Sequence, residues 1–475
     1  MLEPPVAPNA APPPRPGFAR SAAAVLATAT TMLLAGACGP GQAPRRPDLL
    51  LISLDTLRDD RLDAMREDGS PEMPELARFA AESVRFTNCW APMAFTLPAH
   101  MTMMTGLHPE THGVTIERSA LSPDLPTLAE RLRAVGYRTF GLHTSSWLKG
   151  SFGFDRGFDL YEELPAALTF ADRVIPRALE LIRPSDPEAT PGFFFVHFFD
   201  AHSDFSSGGN TLSYFSEPAT RDDLDLRRGD LCDALGRCAT DFLLAADREG
   251  RAVAPETVAV HLELYRRSAR DLDRRIGSFL DELRRAGFLD RAWVVLTADH
   301  GEEFREHGKF LHSQVYRESL QVPLLIRPPG GRSGPATDDR FAGLEDLAPT
   351  LLAIAGSEAP QGMAGIDLLD PARPPEPEVR VGQDKLRRGR YSLRSRDRLL
   401  VWSFEDASSR LFDTAVDPGE TRDLALERTA EASELRRRLF AELRRLRAPR
   451  VGLREAPGAE FGPREREVLR SLGYL

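Results

Sequence analysis

The chain has 475 residues, 42% of them hydrophobic and 28% charged, with a formal net charge of −10. That composition is globular and the length exceeds one ordinary core, so a large domain with a smaller appendage is expected. Acidic and basic residues are interleaved without a basic stripe, which argues against a nucleic-acid partner.

The N-terminus stands apart from the rest. Arg15 and Arg20 precede "SAAAVLATATTMLLAGAC", an uncharged apolar run from Ser21 to Cys38. A basic flank, a short apolar core and small residues near its end describe an export signal, too short and weak for a lasting membrane span. Cys38, after Leu-Ala-Gly-Ala, resembles the lipidation cysteine of a bacterial lipoprotein, which implies a cell-envelope location and a lipid anchor. Ordinary cleavage and an uncleaved anchor are the alternatives. Residues 1–38 are therefore set outside the fold, and "GPGQAPRRP", 39–47, reads as a tether. In an oxidising compartment Cys232 and Cys238 are candidates for a disulfide closing a short loop, while Cys89 reads as a buried apolar thiol.

"PDLLLISLDTLR" opens the body of the chain with a continuous apolar run that ends in charge, the pattern of a buried parallel strand delivering Asp55 at its carboxyl end. "MPELARFAAESVRF" has helical spacing, and "FTLPAHMTMMTG", 95–106, sets Thr96 at the start of a further helical turn. "PTLAERLRAVGYRTFGLHT" predicts a helix beginning near Pro126, stopped at Gly136 and followed by a strand. "GFFFVHFFDAHSD" is a second buried strand, in which His197 reads as a packing residue. Residues 203–250 are rich in Gly, Ser, Asp and Arg with weak periodicity, and are expected to form an insertion or lid. A long amphipathic helix starts at Pro255, and "AWVVLTADHGEE" is a third buried strand. The Pro-rich stretch 371–378, "PARPPEPE", marks a boundary. Beyond it, "RYSLRSRDRLLVWSFEDASSRLFD" alternates in short strands and Glu427 to Leu446 is a charged amphipathic helix. The expected architecture is α/β: a large mainly parallel sheet between helices over 48–370, with a small α+β subdomain over 371–475.

Sheets of this kind bind ligands at the carboxyl ends of their strands. Three predicted strands carry Asp or His there: Asp55, then Asp200 and His202, then Asp299 and His300. A single aspartate in such a place is ordinarily a turn or cap residue. Convergence from separate strands instead describes a divalent-metal site of carboxylates and imidazole. The Thr96 hydroxyl, if it is not simply an N-cap, would lose its proton more easily beside such a metal.

The stretches "PDLLLISLDTLR", "TLPAHMTMMTGLHPETHGV", "HFFDAHSD", "VVLTADHGEEFREHGKFLH", "VPLLIRPPG", "DLAPTLLAIAG" and "LFDTAVDPGETRDLA" together resemble the sulfatase family of the alkaline-phosphatase-like superfamily. In that family a Cys-x-Pro-x-Arg stretch precedes the Thr-Gly turn, and its cysteine becomes formylglycine. Counted back from Thr105, Thr96 stands at the cysteine position and His100 at the arginine position, with Cys89 out of register. A threonine cannot become the aldehyde hydrate that releases sulfate by elimination, so a Thr96 ester needs a second attack at phosphorus or sulfur. The resemblance implies a divalent cation (zinc, manganese, calcium or magnesium) held by Asp55, Thr96, Asp299 and His300, with Thr96 attacking in line. It also implies substrate-contacting roles for His202 and His312, an anion-binding role for His100, and a second metal held by Asp200, His202 and His312 if two ions are used. The expected activity is hydrolysis of an anionic phosphate or sulfate ester through Thr96. Alternatives are sulfate hydrolysis without formylglycine, phospho-group transfer, and a catalytically silent surface binding protein.

Overall fold

The computed structural model describes residues 45–115, 119–164, 171–182, 190–203, 239–332, 336–359, 362–372, 375–385 and 389–456. Arg45–Leu475 form one compact unit. The lipidation cysteine Cys38, the Cys232–Cys238 pair and most of the expected lid lie outside the described residues.

The large sheet is built from β1 (Asp48–Leu54), β2 (Val84–Phe86), β3 (Arg138–His143), β4 (Leu160–Glu163), β5 (Gly192–Phe198), β6 (Ala292–Thr297), β7 (Leu324–Arg327) and β8 (Ala336–Asp338). Their order across the sheet is β8-β2-β7-β6-β1-β5-β3-β4. β1 is parallel to β5 on one side and to β6 on the other. β7 alone runs against its neighbours β2 and β6. Every residue of β1 and of β5 is buried, which explains why both read as unbroken apolar runs: a central parallel strand covered on both faces has no polar side.

The helices are α1 (Pro74–Ala81), α2 (Thr96–Thr105), α3 (Leu128–Ala134), α4 (Ala171–Ile182), α5 (Ala239–Arg248), α6 (Pro255–Arg285), α7 (Leu347–Ile354) and α8 (Thr429–Arg447). α1 and α4 pack on α6, while α2, α3 and α7 pack on one another, giving two helical layers with the sheet between. The predicted helix near Pro126 starts at a capping box: Thr127 accepts from the Glu130 N–H and Glu130 returns the bond to the Thr127 N–H. It stops ahead of Gly136, whose φ of +92° lies in the left-handed region. α5 occupies the end of the expected lid and packs Phe242 and Leu243 against Phe310 and Leu311.

The C-terminal subdomain is an antiparallel sheet of β9 (Arg380–Gln383), β10 (Arg390–Arg394), β11 (Arg398–Ser403) and β12 (Ser408–Asp413), covered by α8. The three later strands and the helix follow the sequence pattern; β9 carries no alternation and is legible only in the structure. Buried ionic contacts fasten this sheet to the larger layer. Arg380 donates to the Phe341 carbonyl at 3.0 Å, to Asp346 at 2.6 Å and to Glu345. His108 Nε2 donates to the Val381 carbonyl at 3.0 Å, and the Gln383 N–H donates to the Pro92 carbonyl at 2.9 Å.

Replacing Arg380 with Met would strand Asp346 and Glu345 without their cation, and removing one partner of a buried ion pair costs roughly 3–5 kcal/mol. The expected outcome is a loss of that size in urea unfolding of the full chain.

Candidate active site

β1 carries an aspartate at each end, and the two have opposite fates. Asp48, at the amino end, is fully matched: it accepts from the Gly192 N–H at 2.7 Å and from Arg291 at 2.9 Å. Asp55, just past the carboxyl end, has one oxygen, Oδ2, bonded by His197 Nε2–H at 3.1 Å and the other, Oδ1, with no hydrogen-bond partner. Asp299, past the end of the neighbouring strand β6, repeats the pattern. Its Oδ1 accepts from the backbone N–H of Thr56 at 3.2 Å and of His300 at 2.9 Å, while Oδ2 has no hydrogen-bond donor. Both side chains are wholly buried.

His300 closes the group. Its Nδ1–H donates to the Gly301 carbonyl at 3.0 Å, so in the tautomer that can ligate a metal the lone pair is on Nε2. That nitrogen lies 3.3 Å from Asp299 Oδ2 and 3.9 Å from Asp55 Oδ1. A lone pair and two carboxylate oxygens facing one another in a dry site repel unless a positive charge lies among them. Asp55, Asp299 and His300 offer ligand atoms all within 4.8 Å of one another, so the donor set fits a divalent cation. Without one, burial raises the Asp55 carboxyl to about 7, against the opposing pull of His300 and Lys385.

The backbone around Asp55 is held under strain. Thr56 sits at φ +60°, an uncommon conformation for a β-branched residue. Tyr265 on α6 pins it, donating to the Thr56 carbonyl at 2.9 Å and accepting from the Arg58 N–H at 2.9 Å.

Thr96 enters from the opposite helical layer. Phe95, extended at φ −158°, is the N-cap of α2 and Thr96 is its first residue, so the Thr96 hydroxyl does no capping. It lies instead 3.4 Å from His300 Nε2, in a side chain only 1% exposed. α2 ends at Gly106 with φ +67°, where a Cβ would meet Met363 Sδ at 3.1 Å and Ala348 Cβ at 3.3 Å. The turn therefore fixes Thr96 at one end and packs tightly at the other.

His202 and His312 approach from two further turns. His202, stacked on Phe199, donates Nδ1–H to the Ser203 carbonyl at 3.1 Å. His312 donates Nδ1–H to Glu302 Oε1 at 3.1 Å. Ring centroids are 4.4 Å apart for His300 and His312, and 5.1 Å apart for His312 and His202, so the three imidazoles form a row. Burial pushes both His202 and His312 well below the ordinary histidine range.

Two sequence-based assignments are corrected. Asp200 is committed elsewhere: both its oxygens accept from the Ala171 N–H, at 2.9 and 3.1 Å, so it caps α4, and no ligand cluster among the described residues contains it. A second metal held by Asp200, His202 and His312 is not supported. His100 is not free to grip an anion, because its Nδ1–H donates to the Thr96 carbonyl at 2.9 Å and Nε2 accepts from the Ser53 hydroxyl at 2.8 Å. Burial lowers it to about 4, despite Asp299, so its ring is neutral and structural.

Two residues escape the sequence reading. His197 is more than strand packing, since it orients Asp55 while its Nδ1 accepts from the Thr144 hydroxyl at 3.3 Å. The signal lies in the pairing of β1 with β5, which sets His197 beside Ser53, and no local pattern reveals it. Lys385, two residues beyond β9, is the other. Its Nζ lies 5.3 Å from the Phe95 ring centroid. Burial lowers its ammonium to about 7, while Glu302, Asp55 and Asp299 favour the charge.

With the geometry in place, relatives can be compared. The family model described as Sulfatase matches residues 47–357. The chain belongs to the sulfatase family. An N-acetylglucosamine-6-O-sulfatase of Bacteroides thetaiotaomicron is 22% identical over 466 residues, covering 80% of this chain and 83% of that protein. Among solved structures, a 2-O GAG sulfatase superposes with a TM-score of 0.66 at 19% identity, covering 90% of this chain and 100% of the other. The phosphonate monoester hydrolase of Agrobacterium radiobacter superposes with a TM-score of 0.64 at 20% identity, covering 85% and 96%. These structural likenesses establish the alkaline-phosphatase-like fold, and the family assignment makes this member a sulfatase-like ester hydrolase.

His197→Phe keeps a packed ring but removes the bond to Asp55. Loss of a partner that orients a metal ligand typically weakens metal binding about 10- to 100-fold, the result expected from competition with a chelating dye. For Asp200, burial raises the carboxyl from 3.8 to about 6, against the Ala171 N–H and Arg275, which pull it down. The folded chain thus holds this proton more tightly than the unfolded one; that stability is complete below the ordinary value and disappears as pH rises through the raised one. Asp200→Asn should flatten this part of the stability profile in urea unfolding at stepped pH and keep wild-type metal stoichiometry. Loss of one metal equivalent would restore the second-metal assignment.

Proposed function

We propose that this family member cleaves phosphate or sulfate esters with Thr96 as nucleophile, and that phosphorus is preferred. The observation that carries the reading is the Thr96 hydroxyl, relieved of capping and 3.4 Å from His300 Nε2, beside two carboxylate oxygens that lack hydrogen-bond donors. Asp55, Asp299 and His300, joined by Thr96 Oγ1, would hold a divalent cation, which would supply Lewis acidity and ease loss of the hydroxyl proton. This mixed oxygen and nitrogen set suits zinc or manganese, whereas an all-oxygen cage would suit calcium.

The residues of the chain account for the remaining steps. Thr96 Oγ1 forms a bond to phosphorus as the bond from phosphorus to the leaving alcohol oxygen breaks, and that oxygen takes up a proton. The first turn of α2 favours the negative charge that gathers beside it. One of the imidazoles of His202 and His312, each fixed through Nδ1, takes the proton that the Thr96 hydroxyl releases and passes it to the leaving oxygen. Water then attacks the phosphorus of the Thr96 ester and gives a proton to the same imidazole; the bond from phosphorus to Thr96 Oγ1 breaks, Oγ1 takes that proton, and the phosphate product leaves.

Phosphorus is preferred because a threonine ester can be released only by this second attack, never by elimination through an aldehyde hydrate. The fold shared with a phosphonate monoester hydrolase accords with that preference. Sulfate esters are the second reading, favoured by the family itself and by a relative that bears the name of a 6-O-sulfatase. The setting we propose is the bacterial cell envelope, with Cys38 as lipid anchor, on the strength of the basic flank and apolar run that precede it.

The decisive measurement is turnover of matched nitrophenyl phosphate, bis-nitrophenyl phosphate, phosphonate and sulfate esters, with zinc, manganese, magnesium and calcium supplied separately. Thr96→Ala should lower the turnover of the best ester by about a thousandfold or more, the scale on which loss of a nucleophile acts. Thr96→Ser should recover part of it. Near-normal activity in Thr96→Ala would sink the nucleophile assignment.

A further inference from the structure

An ester group entering this site brings negatively charged non-bridging oxygens, and the α2 turn offers them no cation. The arginine position of the family's turn is His100, whose two ring nitrogens are committed to Ser53 and to the Thr96 carbonyl. A positive side chain reaches the same place by another route. Lys385 extends over the ring of Phe95, the residue immediately before Thr96, with Nζ 5.3 Å from the ring centroid. Glu302, Asp55 and Asp299 favour its charge, so the ammonium shares the electrostatic surroundings of the carboxylate pair.

That placement is set by the fold. β9 is docked along its whole length: Arg380 on Asp346 and the Phe341 carbonyl, Val381 on His108, and Gln383 on the Pro92 carbonyl. Met93 and Gln383 also form a parallel bridge, so the chain entering the α2 turn and the chain leading to Lys385 run side by side. Phe95 is held in turn by an edge contact with Trp147, at 4.9 Å between centroids, which gives the ammonium an aromatic wall to lie against.

We propose that Lys385 is the anion-binding group of this site, its ammonium holding the non-bridging oxygens of the ester in place of the arginine that the α2 turn lacks. The inference rests on the ester-hydrolase reading but concerns a separate element, the C-terminal sheet. A lysine suits the task because it is a compact charge with rotatable donors on a flexible stem, able to follow the group as it moves from alcohol to Thr96. Glu302, which accepts from His312 Nδ1–H at 3.1 Å, favours the Lys385 charge.

The test uses the full mature chain loaded with zinc or manganese, and the variants Lys385→Met, Lys385→Gln and Lys385→Arg. Binding of inorganic vanadate and sulfate is measured by calorimetry, metal content by mass spectrometry, and KM and kcat on the best nitrophenyl ester. Both neutral variants should weaken oxyanion binding by about 10- to 100-fold, the scale of a charge-assisted hydrogen bond, with metal content unchanged. Lys385→Arg should recover most of the affinity. Oxyanion affinity that survives in a folded Lys385→Met or Lys385→Gln overturns the proposal. So does loss of metal in step with loss of the oxyanion, which would make Lys385 a keeper of the metal site, and so does a wild type that binds neither oxyanion. If no ester is turned over while vanadate still binds through Lys385, the hydrolase reading fails and the anion site stands.

Discussion

Two carboxylates buried at the ends of neighbouring parallel strands govern the arrangement around them. Asp55 and Asp299 each give one oxygen to hydrogen-bond donors and leave the other facing His300 without a donor. Such an array is unfavourable on its own terms, because a charge removed from water must be paired. It persists because the surroundings allow no relaxation: His197 grips Asp55, backbone N–H groups grip Asp299, and Tyr265 clamps the strained Thr56 between them. Asp48 shows what the same strand does with an aspartate meant only for stability, matching both oxygens to donors. The contrast between the two ends of β1 separates structure from function more clearly than burial does, since both aspartates are buried.

Each chemical component arrives on a different rigid element. The turns just past β1 and β6 bring the carboxylates and His300, the first turn of α2 brings the hydroxyl, and the turn after β9 brings the lysine. Side chains within a few residues of a strand or helix end are held to finer tolerances than side chains on long loops, and catalysis by positioning depends on that tolerance. The buried Arg380 contacts therefore bear on the site as well as on the joining of the two sheets.

Much of this was legible in the amino-acid sequence because it is local. The runs ending in Asp55 and Asp299 are unbroken since β1 and β6 are central strands, and Thr127 with Glu130 spells out a helix start. Thr96 was found from its register against a family turn. What escaped depends on contacts across the chain. His100 reads as an available imidazole until the fold sets Ser53 against one nitrogen. Asp200 reads as a metal ligand until α4 begins beneath it. Lys385 carries no signal at all, sitting past a Pro-rich boundary in what composition presents as an appendage, and only the docking of β9 on Pro92 brings it to the α2 turn.

The order of strands also bears on how the molecule comes to be folded. β1 is translated first among the strands, yet its partners are β5 and β6, and the bonds that seat Asp48 against them span 144 and 243 residues. Long loops must close before that pairing is rewarded, which makes folding slow. Until then "LLLISL" is an uncharged run of high strand propensity with both edges open, the kind of segment that recruits other chains. One edge gains its partner only when residue 198 has emerged and the other only at residue 297, so the segment that ends at the site is among the last of the sheet to be covered on both sides.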